Sequence, residues 1–296
     1  MHDHGRNRRD LTIALAITAG YCVVEFIGGW VTNSLALLSD AGHMFADVGA
    51  LSISVFALRL AQRPPTASKT FGYHRGEILA AFVNGLVLWL IVGLITREAY
   101  ERFFAPPAVR SAGMIAIAVV GLGVNLVSMW VLRRSHSTSL NLRAAFVHVV
   151  GDALGSVGAI VAGIAILGWN WTLADPLVSI GIALLILISS WGIVRESVDI
   201  LMQGTPREMR LADIEQCLRG VPAVCEVHDL HVWTLTSGRY LLSVHLVIDN
   251  AAAALPDTTR RVIDTAQTQL RERFGIGHTT VQVDAGGTCS EEFRGH

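Results

Sequence analysis

The chain has 296 residues, of which 52% are hydrophobic and only 16% are charged, and its mean hydropathy is +0.48. A soluble domain has roughly 25% charged residues, so this composition excludes an ordinary soluble protein. The formal net charge of −1 indicates little, but the charges are unevenly distributed. Residues 11 to about 200 are nearly all apolar, whereas residues 205–296 are charged like a soluble domain.

The apolar part of the chain contains six segments long enough to cross a membrane. The hydrocarbon core of a bilayer is ~30 Å thick and requires about 20 apolar residues per helix. Because lipid offers no hydrogen-bond partners to the backbone, we expect each segment to be a helix. The predicted spans are approximately Leu11–Val31, Leu35–Leu58, Ile78–Ala99, Gly113–Leu132, Ala144–Leu167 and Pro176–Val194.

The basic residues predict the orientation of these spans. They concentrate before the first span, between the second and third, between the fourth and fifth, and after the sixth. These residues are Arg6, Arg8, Arg9, Arg59, Arg63, Lys69, Arg75, Arg133, Arg134, Arg143, Arg195, Arg207 and Arg210. By the positive-inside rule we expect a multi-pass protein of the bacterial inner membrane with both termini in the cytoplasm.

The change in composition divides the chain into predicted parts. We expect residues 1–10 to form a cytoplasmic N-terminal tail and residues 11–203 to form a six-helix transmembrane domain. Residues 204–288 are predicted to form a small cytoplasmic domain, and residues 289–296 a C-terminal tail.

The small domain reads as an α-β-β-α-β unit, which indicates a ferredoxin-like α+β fold. Its first helix is predicted to begin with a capping box at Thr205-Pro206-Arg207-Glu208 and to end near Arg219. The remaining elements are predicted as strands over Ala223–Leu235 and Arg239–Asp249, a helix from about Asp257 to Phe274, and a strand within His278–Asp284. Ser237-Gly238 is the expected turn of the hairpin.

Two membrane spans carry a histidine and an aspartate four residues apart. The second span contains His43 and Asp47, and the fifth contains His148 and Asp152. A spacing of four places each pair on one helix face. One such histidine could be a satisfied core residue, but ionisable residues in a span are costly and indicate function. Two matching pairs therefore predict a functional site.

The predicted topology makes the second and fifth spans antiparallel. His43 then lies level with Asp152, and Asp47 with His148. Small residues would let these two helices approach closely. They are Gly42, Ala46 and Ala50 on one helix and Gly151 and Gly155 on the other.

Two imidazole nitrogens and two carboxylate oxygens suit a tetrahedral divalent ion, above all Zn²⁺. The two carboxylates cancel the charge of the ion, so the filled site is nearly neutral. When the metal leaves, we expect the site to take up protons on histidine or aspartate. The residues therefore predict metal–proton exchange.

Three further acidic residues stand in or near the spans. Glu25, which shares a helix face with Tyr21, is predicted either to line an aqueous path and take a proton or to pair with a neighbouring helix. Asp40 lies one turn outward of His43 and is either a partner of the metal ligands or part of the outer mouth. Asp175, before Pro176, is predicted to be the N-cap of the sixth helix.

At these residues the chain resembles the cation diffusion facilitator family of divalent-metal/proton antiporters, and the match is close to the zinc-transporting branch. The similar motifs occur in the family's order and extend over essentially the whole chain. They are SLALLSDAGHMFADV (Ser34–Val48), TFGYHRGEILAA (Thr70–Ala81), HVVGDALGSVG (His148–Gly158), DPLVSI (Asp175–Ile180) and HDLHVWTL (His228–Leu235).

The resemblance implies a homodimer that transports metal and is not an enzyme. Its transport site maps onto His43, Asp47, His148 and Asp152, and a histidine at the first position resembles zinc-preferring relatives, with Cd²⁺ as a second ion. The partners implied are Zn²⁺, protons and the lipid bilayer, with no nucleic acid. Zn²⁺ would be both the transported substrate and a structural or regulatory ion.

The resemblance also implies that the cytoplasmic domain binds metal and helps to hold the dimer. His228, His245 and Asp284 match the family's ligand positions there, while Gln282 replaces a further histidine. Some family members bind another metal between the second and third spans, through a histidine after a Phe-Gly pair. Tyr73 occupies that position here, with His74 next to it, so we expect no metal site in this loop.

Two other functions are compatible with a membrane metal site. An intramembrane metalloenzyme needs an open coordination position and a general base, whereas four protein ligands would close the site and the chain has no HExxH motif. A metal sensor would use the cytoplasmic domain as its output without transport. We expect a secondary transporter that exports Zn²⁺ from the cytoplasm, and also Cd²⁺, in exchange for protons.

Overall fold

The computed structural model of the chain describes residues 19–61, 63–134 and 140–286. Two compact units are present. The first comprises Met1–Val55 and Val83–Val194, and the second comprises Phe56–Phe82 and Arg195–His296. The segment between the second and third helices, together with the first turns of the third, thus belongs to the same unit as the C-terminal part of the chain.

The first unit is built from long helices. The helical residues 19–32 form α1, and the following helices are α2 (Leu35–Ala61), α3 (Gly76–Phe104), α4 (Ser111–Arg134), α5 (Leu140–Trp169) and α6 (Ala174–Leu201). Within the described residues, four helical stretches are long and apolar enough to cross a bilayer. These are Gly76–Phe104, Ser111–Trp130, Val149–Trp169 and Ala174–Leu201. The first predicted span overlaps α1 and lies partly outside the described residues, and the second coincides with α2, some of whose side chains are not described.

Small residues fill the interior of this unit, and large apolar residues cover its surface. Its core contains Ala36, Ala118, Ala162 and Ala183, which are almost fully buried, together with larger side chains such as Met114. The exposed set includes Trp30, Phe45, Leu90, Leu154, Leu167 and Ile188. A soluble protein would bury such residues, whereas a bilayer solvates them and close helix packing in lipid depends on small residues.

A left-handed residue ends α1. Asn33 has φ +58°, a conformation that asparagine tolerates better than most residues, and the Ser34 amide donates to the Gly29 carbonyl at 3.0 Å. The chain therefore reverses within two residues, and α2 starts at Leu35.

The second unit contains a three-stranded sheet with helices packed on it. In chain order its elements are α7 (Leu211–Arg219), β1 (Val224–Thr236), β2 (Arg239–Ile248), α8 (Asn250–Ala253), α9 (Thr258–Phe274) and β3 (His278–Ala285). The strand order is β1-β2-β3, with β1 antiparallel to β2 and β2 parallel to β3. Parallel pairing requires a crossover connection, which α9 provides.

The hydrophobic core of the second unit lies between this sheet and its helices. Its most buried members include Ile214 and Leu218 from α7, Leu242 and Leu246 from β2, and Leu270 from α9. The predicted turn at Ser237-Gly238 is confirmed, because Thr236 pairs with Arg239 and Gly238 has φ +70°. The membrane-helix plus α+β fold class is likewise confirmed.

Two predicted helix starts are wrong. Thr205–Glu208 lies outside any helix, and α7 begins only at Leu211, because Arg210 is extended and Arg207 instead pairs with Asp199. Asp175 does not precede the sixth helix, because α6 already begins at Ala174. Its carboxylate instead accepts hydrogen bonds from the first residues of α2.

Candidate metal centres

One cavity in the first unit contains two of the predicted metal ligands. It has a volume of about 360 Å³, and α2, α3, α5 and α6 all contribute to its lining. His43 on α2 and Asp152 on α5, which are 109 positions apart in the sequence, both lie on it, as does Asp40. Asn84 of α3 and Ser190 of α6 add further polar groups. The fold thus brings polar side chains from four helices to one point in an otherwise apolar bundle.

Asp47 and His148 lie on the same two helices as His43 and Asp152. Their backbones belong to α2 and α5, but their side chains lie outside the described residues. The four-ligand set therefore stays a prediction, of which the structure describes one histidine and one aspartate.

The close approach of α2 and α5 occurs at Gly155. A Cβ added there would lie 2.9 Å from Asp40 Oδ1 and 3.2 Å from its Cγ. Gly151, one turn earlier, lines the cavity, and a Cβ there would meet no described atom within 4 Å. Of these two predicted contact residues on α5, Gly155 makes the contact and Gly151 leaves the cavity open.

The acidic residues of α1 and α2 extend this polar cluster away from the cavity. Glu25 is fully buried and interacts electrostatically with Asp40, which in turn interacts electrostatically with Asp152. The Tyr21 hydroxyl lies 3.5 Å from Glu25 Oε1 and donates to the Ile117 carbonyl at 2.9 Å. Both predicted roles of Glu25 therefore stay predictions, and the hydrogen bond to a neighbouring helix is made by Tyr21.

The serines of α6 were not predicted as part of a site. Ser190 lines the cavity and accepts a 3.2 Å hydrogen bond from the Trp89 indole nitrogen, and the Trp89 ring stacks on Trp191. Adjacent serines in an apolar span, Ser189-Ser190, were the available signal. Their importance depends on which face of α6 meets α3, which the local sequence does not reveal.

A second cluster of potential ligands lies on the sheet of the second unit. His228 on β1 pairs directly with His245 on β2, and their ring centroids are 5.1 Å apart. Asp284 on β3 places Oδ2 3.6 Å from His245 Nδ1. One ligand atom from each residue lies within 4.8 Å of the other two. Within the described ranges, this is the one group of three or more such residues close enough to hold a metal ion.

The surroundings of these three residues fit a metal ion. His228 Nε2 is buried, and within the described part of the chain it has no hydrogen-bond partner. Its other ring nitrogen lies 3.6 Å from Asp229 Oδ2, and Gln282 Nε2 donates to Asp284 Oδ1 at 3.0 Å. A buried imidazole nitrogen without a partner normally calls for a ligand, and groups that hold the coordinating side chains in place are common around metals.

A bulge in β1 separates the two histidines of HDLHVW. Asp229 has φ +48°, and the pairing register shifts between His228 and His231. His228 lies in the cluster, whereas His231 is exposed opposite Ser243. In a regular strand, residues 228 and 231 would lie on opposite faces, whereas the extra residue of the bulge pairs them with His245 and Ser243, which share one face of β2.

The segment between α2 and α3 contacts residues of β2 and β3. His74 Nε2 lies 2.7 Å from an Arg239 guanidinium nitrogen, and the Phe71 ring packs edge-on against His278 at 5.7 Å. Arginine can only donate, so the His74 nitrogen is the acceptor. The side chain of His74 is thus engaged with the hairpin.

Family comparisons agree with this architecture. The family model of the cation efflux transmembrane domain matches residues 11–202, and that of the cytoplasmic domain of cation efflux proteins matches residues 206–286.

Similar proteins extend along almost the whole chain. A Bacillus subtilis protein named cadmium, cobalt and zinc/H(+)-K(+) antiporter is 43% identical over 96% of this chain and 91% of its own length. The metal cation efflux system protein CzcD of Cupriavidus metallidurans is 41% identical over 96% of this chain and 89% of its own. The zinc transporter ZitB of Escherichia coli is 41% identical over 94% and 88%.

Among solved structures, the metal-bound C-terminal domain of the CzcD transporter from Cuprividus metallidurans matches 26% of this chain and 99% of its own, at 36% identity and a TM-score of 0.23.

The two family models together account for the helical unit and the sheet domain, and members of this family are integral membrane transporters rather than enzymes. The chain belongs to the cation efflux family, also called the cation diffusion facilitator family, and its relatives are those of the zinc-transporting branch.

Proposed function

We propose that this protein is a secondary transporter that exports Zn²⁺ from the cytoplasm in exchange for protons, with Cd²⁺ as a second substrate. The observation that carries the proposal is the shared cavity of His43 and Asp152. The names of its relatives, which include cadmium, cobalt and zinc antiporters and zinc transporters, support the same metals.

The proposed binding site consists of His43, Asp47, His148 and Asp152, between α2 and α5. Two neutral imidazoles and two carboxylates give a tetrahedral set that suits Zn²⁺ and cancels its charge. Charge compensation matters here because Asp152 and Asp40 are both buried in an apolar bundle. Isolated buried carboxylates are costly, so a metal ion or protons must accompany them.

Proton exchange follows from this requirement. When Zn²⁺ leaves, the two carboxylates of the site lose their counter-charge while the neighbouring Glu25–Asp40 pair stays close by. Protons taken up by the emptied site restore the charge balance, and their release is then coupled to binding of the next metal ion. In this scheme the same residues bind either metal or protons, but not both at once.

We further propose that the protein works as a homodimer in the bacterial inner membrane, with both termini and the sheet domain in the cytoplasm. The orientation is supported by the distribution of arginine described above. The residues His228, His245 and Asp284 would hold a structural or regulatory Zn²⁺ in the cytoplasmic domain. Three protein ligands leave a fourth position for water or another group.

The proposal is tested with purified protein in liposomes that contain a zinc-sensitive dye and a separate pH dye. An imposed pH gradient should drive zinc uptake, and zinc uptake should in turn move protons across the membrane. His43→Ala and Asp152→Ala should each abolish uptake, whereas Asp264→Ala, an exposed aspartate on α9, should transport like the wild type. Full zinc uptake by both site variants would rule out the proposed site. Zinc movement without proton movement would rule out metal–proton exchange.

A metal sensor is the second candidate function, because the three-ligand cluster of the sheet domain is a plausible sensing site. The two functions differ in one measurement. A sensor binds zinc without accumulating it in vesicles, whereas a transporter accumulates zinc against its gradient.

A further inference from the structure

We infer that Asp175 is a positioning residue for the transport site, because its carboxylate at the start of α6 holds the N-terminus of α2 and so fixes where His43 enters the cavity. This inference rests on the proposed role of His43. Asp175 is fully buried, and each of its carboxylate oxygens accepts hydrogen bonds from the first residues of α2.

The carboxylate satisfies groups that the helix itself leaves unpaired. The first amides of any helix lack intrahelical partners. Asp175 Oδ2 accepts from the Leu35 amide at 2.7 Å, and Oδ1 accepts from the Ala36 amide at 3.1 Å and from the Ser34 hydroxyl at 2.7 Å. Ser34 also accepts from the Leu37 amide at 3.3 Å. The start of α2 is thus capped both by its own serine and by a charged group from another helix.

A buried arginine joins α3 to the same point. An Arg102 guanidinium nitrogen lies 3.5 Å from Asp175 Oδ2 and donates to the Asn33 carbonyl at 2.7 Å. Its second terminal nitrogen donates to Asn33 Oδ1 at 3.2 Å. The positive end of the α2 dipole and this guanidinium together balance the buried carboxylate. The bend before α2 is therefore held by Asp175 on one side and Arg102 on the other.

The two helices that Asp175 joins, α2 and α6, also line the transport cavity. His43 lies eight residues beyond Leu35, about 12 Å along α2, and the intervening turns are packed, since Leu37, Ser39 and Ala41 are fully buried. The helix that carries Asp175 also contributes Ile186 and Ser190 to the cavity. A packed helix moves as a unit. The hydrogen bonds at the start of α2 therefore set how far His43 lies along the helix axis, and how it is rotated about that axis, relative to α6.

The test measures zinc transport kinetics of Asp175→Asn in liposomes, with Asp199→Asn, a half-exposed aspartate on the same helix, as the control. Asn keeps the shape but loses the charge and one acceptor oxygen. We expect the KM for zinc to rise about 10- to 100-fold, as small misplacements of a reacting group cost on that order. A purely structural role would lower the number of active molecules and hence Vmax, with KM unchanged.

If Asp175→Asn does not fold, Ser34→Ala is the second variant. It removes the bond to Asp175 and the bond that Ser34 accepts from the Leu37 amide, and it leaves the carboxylate and Arg102 in place. We expect its KM to rise by about twofold to tenfold, in line with the loss of these hydrogen bonds. An unchanged KM in the folded variants overturns the inference. His43→Ala is measured beside them. If that variant transports normally, the proposed function itself fails, whereas normal transport by Asp175→Asn with an inactive His43→Ala defeats only the positioning role.

Discussion

Thr236 donates a 2.7 Å hydrogen bond to Glu77 Oε2, although the two residues are 159 positions apart in the chain. Ser237 donates to the other carboxylate oxygen at 3.1 Å. Glu77 lies in the first turn of α3, and both partners lie at the tip of the β1–β2 hairpin. The two hydrogen bonds, together with the Arg239–His74 contact, fasten the beginning of a membrane helix to the hairpin within the second unit.

The Glu77 contact predicts a loss of stability when the carboxylate is removed. Glu77→Ala deletes the acceptor of two hydrogen bonds, and we expect the free energy of unfolding of the second unit to fall by about 1–2 kcal/mol. Thermal unfolding of the purified protein in detergent measures this. Glu272→Ala, an exposed glutamate on α9, is the control and should leave the unfolding temperature unchanged. Equal unfolding temperatures for both variants would contradict the predicted role of the contact.

The cytoplasmic cluster predicts a zinc site that can be measured separately from the transport site. In an Asp152→Ala background, zinc should still raise the unfolding temperature, because a ligand that binds only the folded state stabilises it. Adding His245→Ala should abolish this zinc-dependent rise, and a chelator should abolish it in the unmodified cluster. His231→Ala is the matched control, since His231 lies on the same strand but is exposed outside the cluster. Persistence of the rise in the His245→Ala variant would rule out the proposed ligands.

Substitution of Gln282 by histidine is expected to increase the zinc affinity of the cytoplasmic cluster. It pairs directly with His245 in the parallel β2–β3 register and hydrogen-bonds to Asp284, so its side chain stands beside two proposed ligands. Gln282→His would provide a fourth donor, and we expect zinc affinity at this site to increase by at least about tenfold because four ligands complete a tetrahedron. Thr280→His, two residues earlier on the same strand face, is the control. Competition with a calibrated zinc chelator gives both affinities, and equal values would refute the expectation.

Zinc transport is expected to require the close approach of α2 and α5 at Gly155. In Gly155→Ala the new Cβ would stand 2.9 Å from Asp40 Oδ1, so either the buried carboxylate or the helices must shift. We expect zinc uptake to fall about tenfold or more, because the geometry of the transport cavity changes. Gly168→Ala lies on the same helix, where an added Cβ meets no described atom within 4 Å, and should transport normally. Uptake that is equally fast in both variants would argue against this packing requirement.

Much of the fold could be predicted because its signals are local. The apolar runs that became α3 to α6 exceed the length needed to cross a bilayer, and the alternation in β1 and β2 on either side of Ser237-Gly238 is a hairpin pattern. The start of α7 was missed because Arg210 adopts an extended conformation at the N-cap position, which leaves the Thr205–Glu208 capping pattern outside the helix. The short capping motif does not encode that conformation.

Some features of the candidate sites could likewise be predicted from the sequence, and others could not. Residue types and spacing alone pointed to His43 and Asp152, and the resemblance to a family pointed to His228, His245 and Asp284. Spacing is visible in the chain because a helix repeats every 3.6 residues, so a histidine and an aspartate four positions apart share a face whatever surrounds them. Only the tertiary structure decided that Asp175 caps α2, that Asp40 packs on Gly155 and that Glu77 binds the hairpin. Each of these joins residues far apart in sequence, and such contacts exist only after the helices and strands have packed against one another.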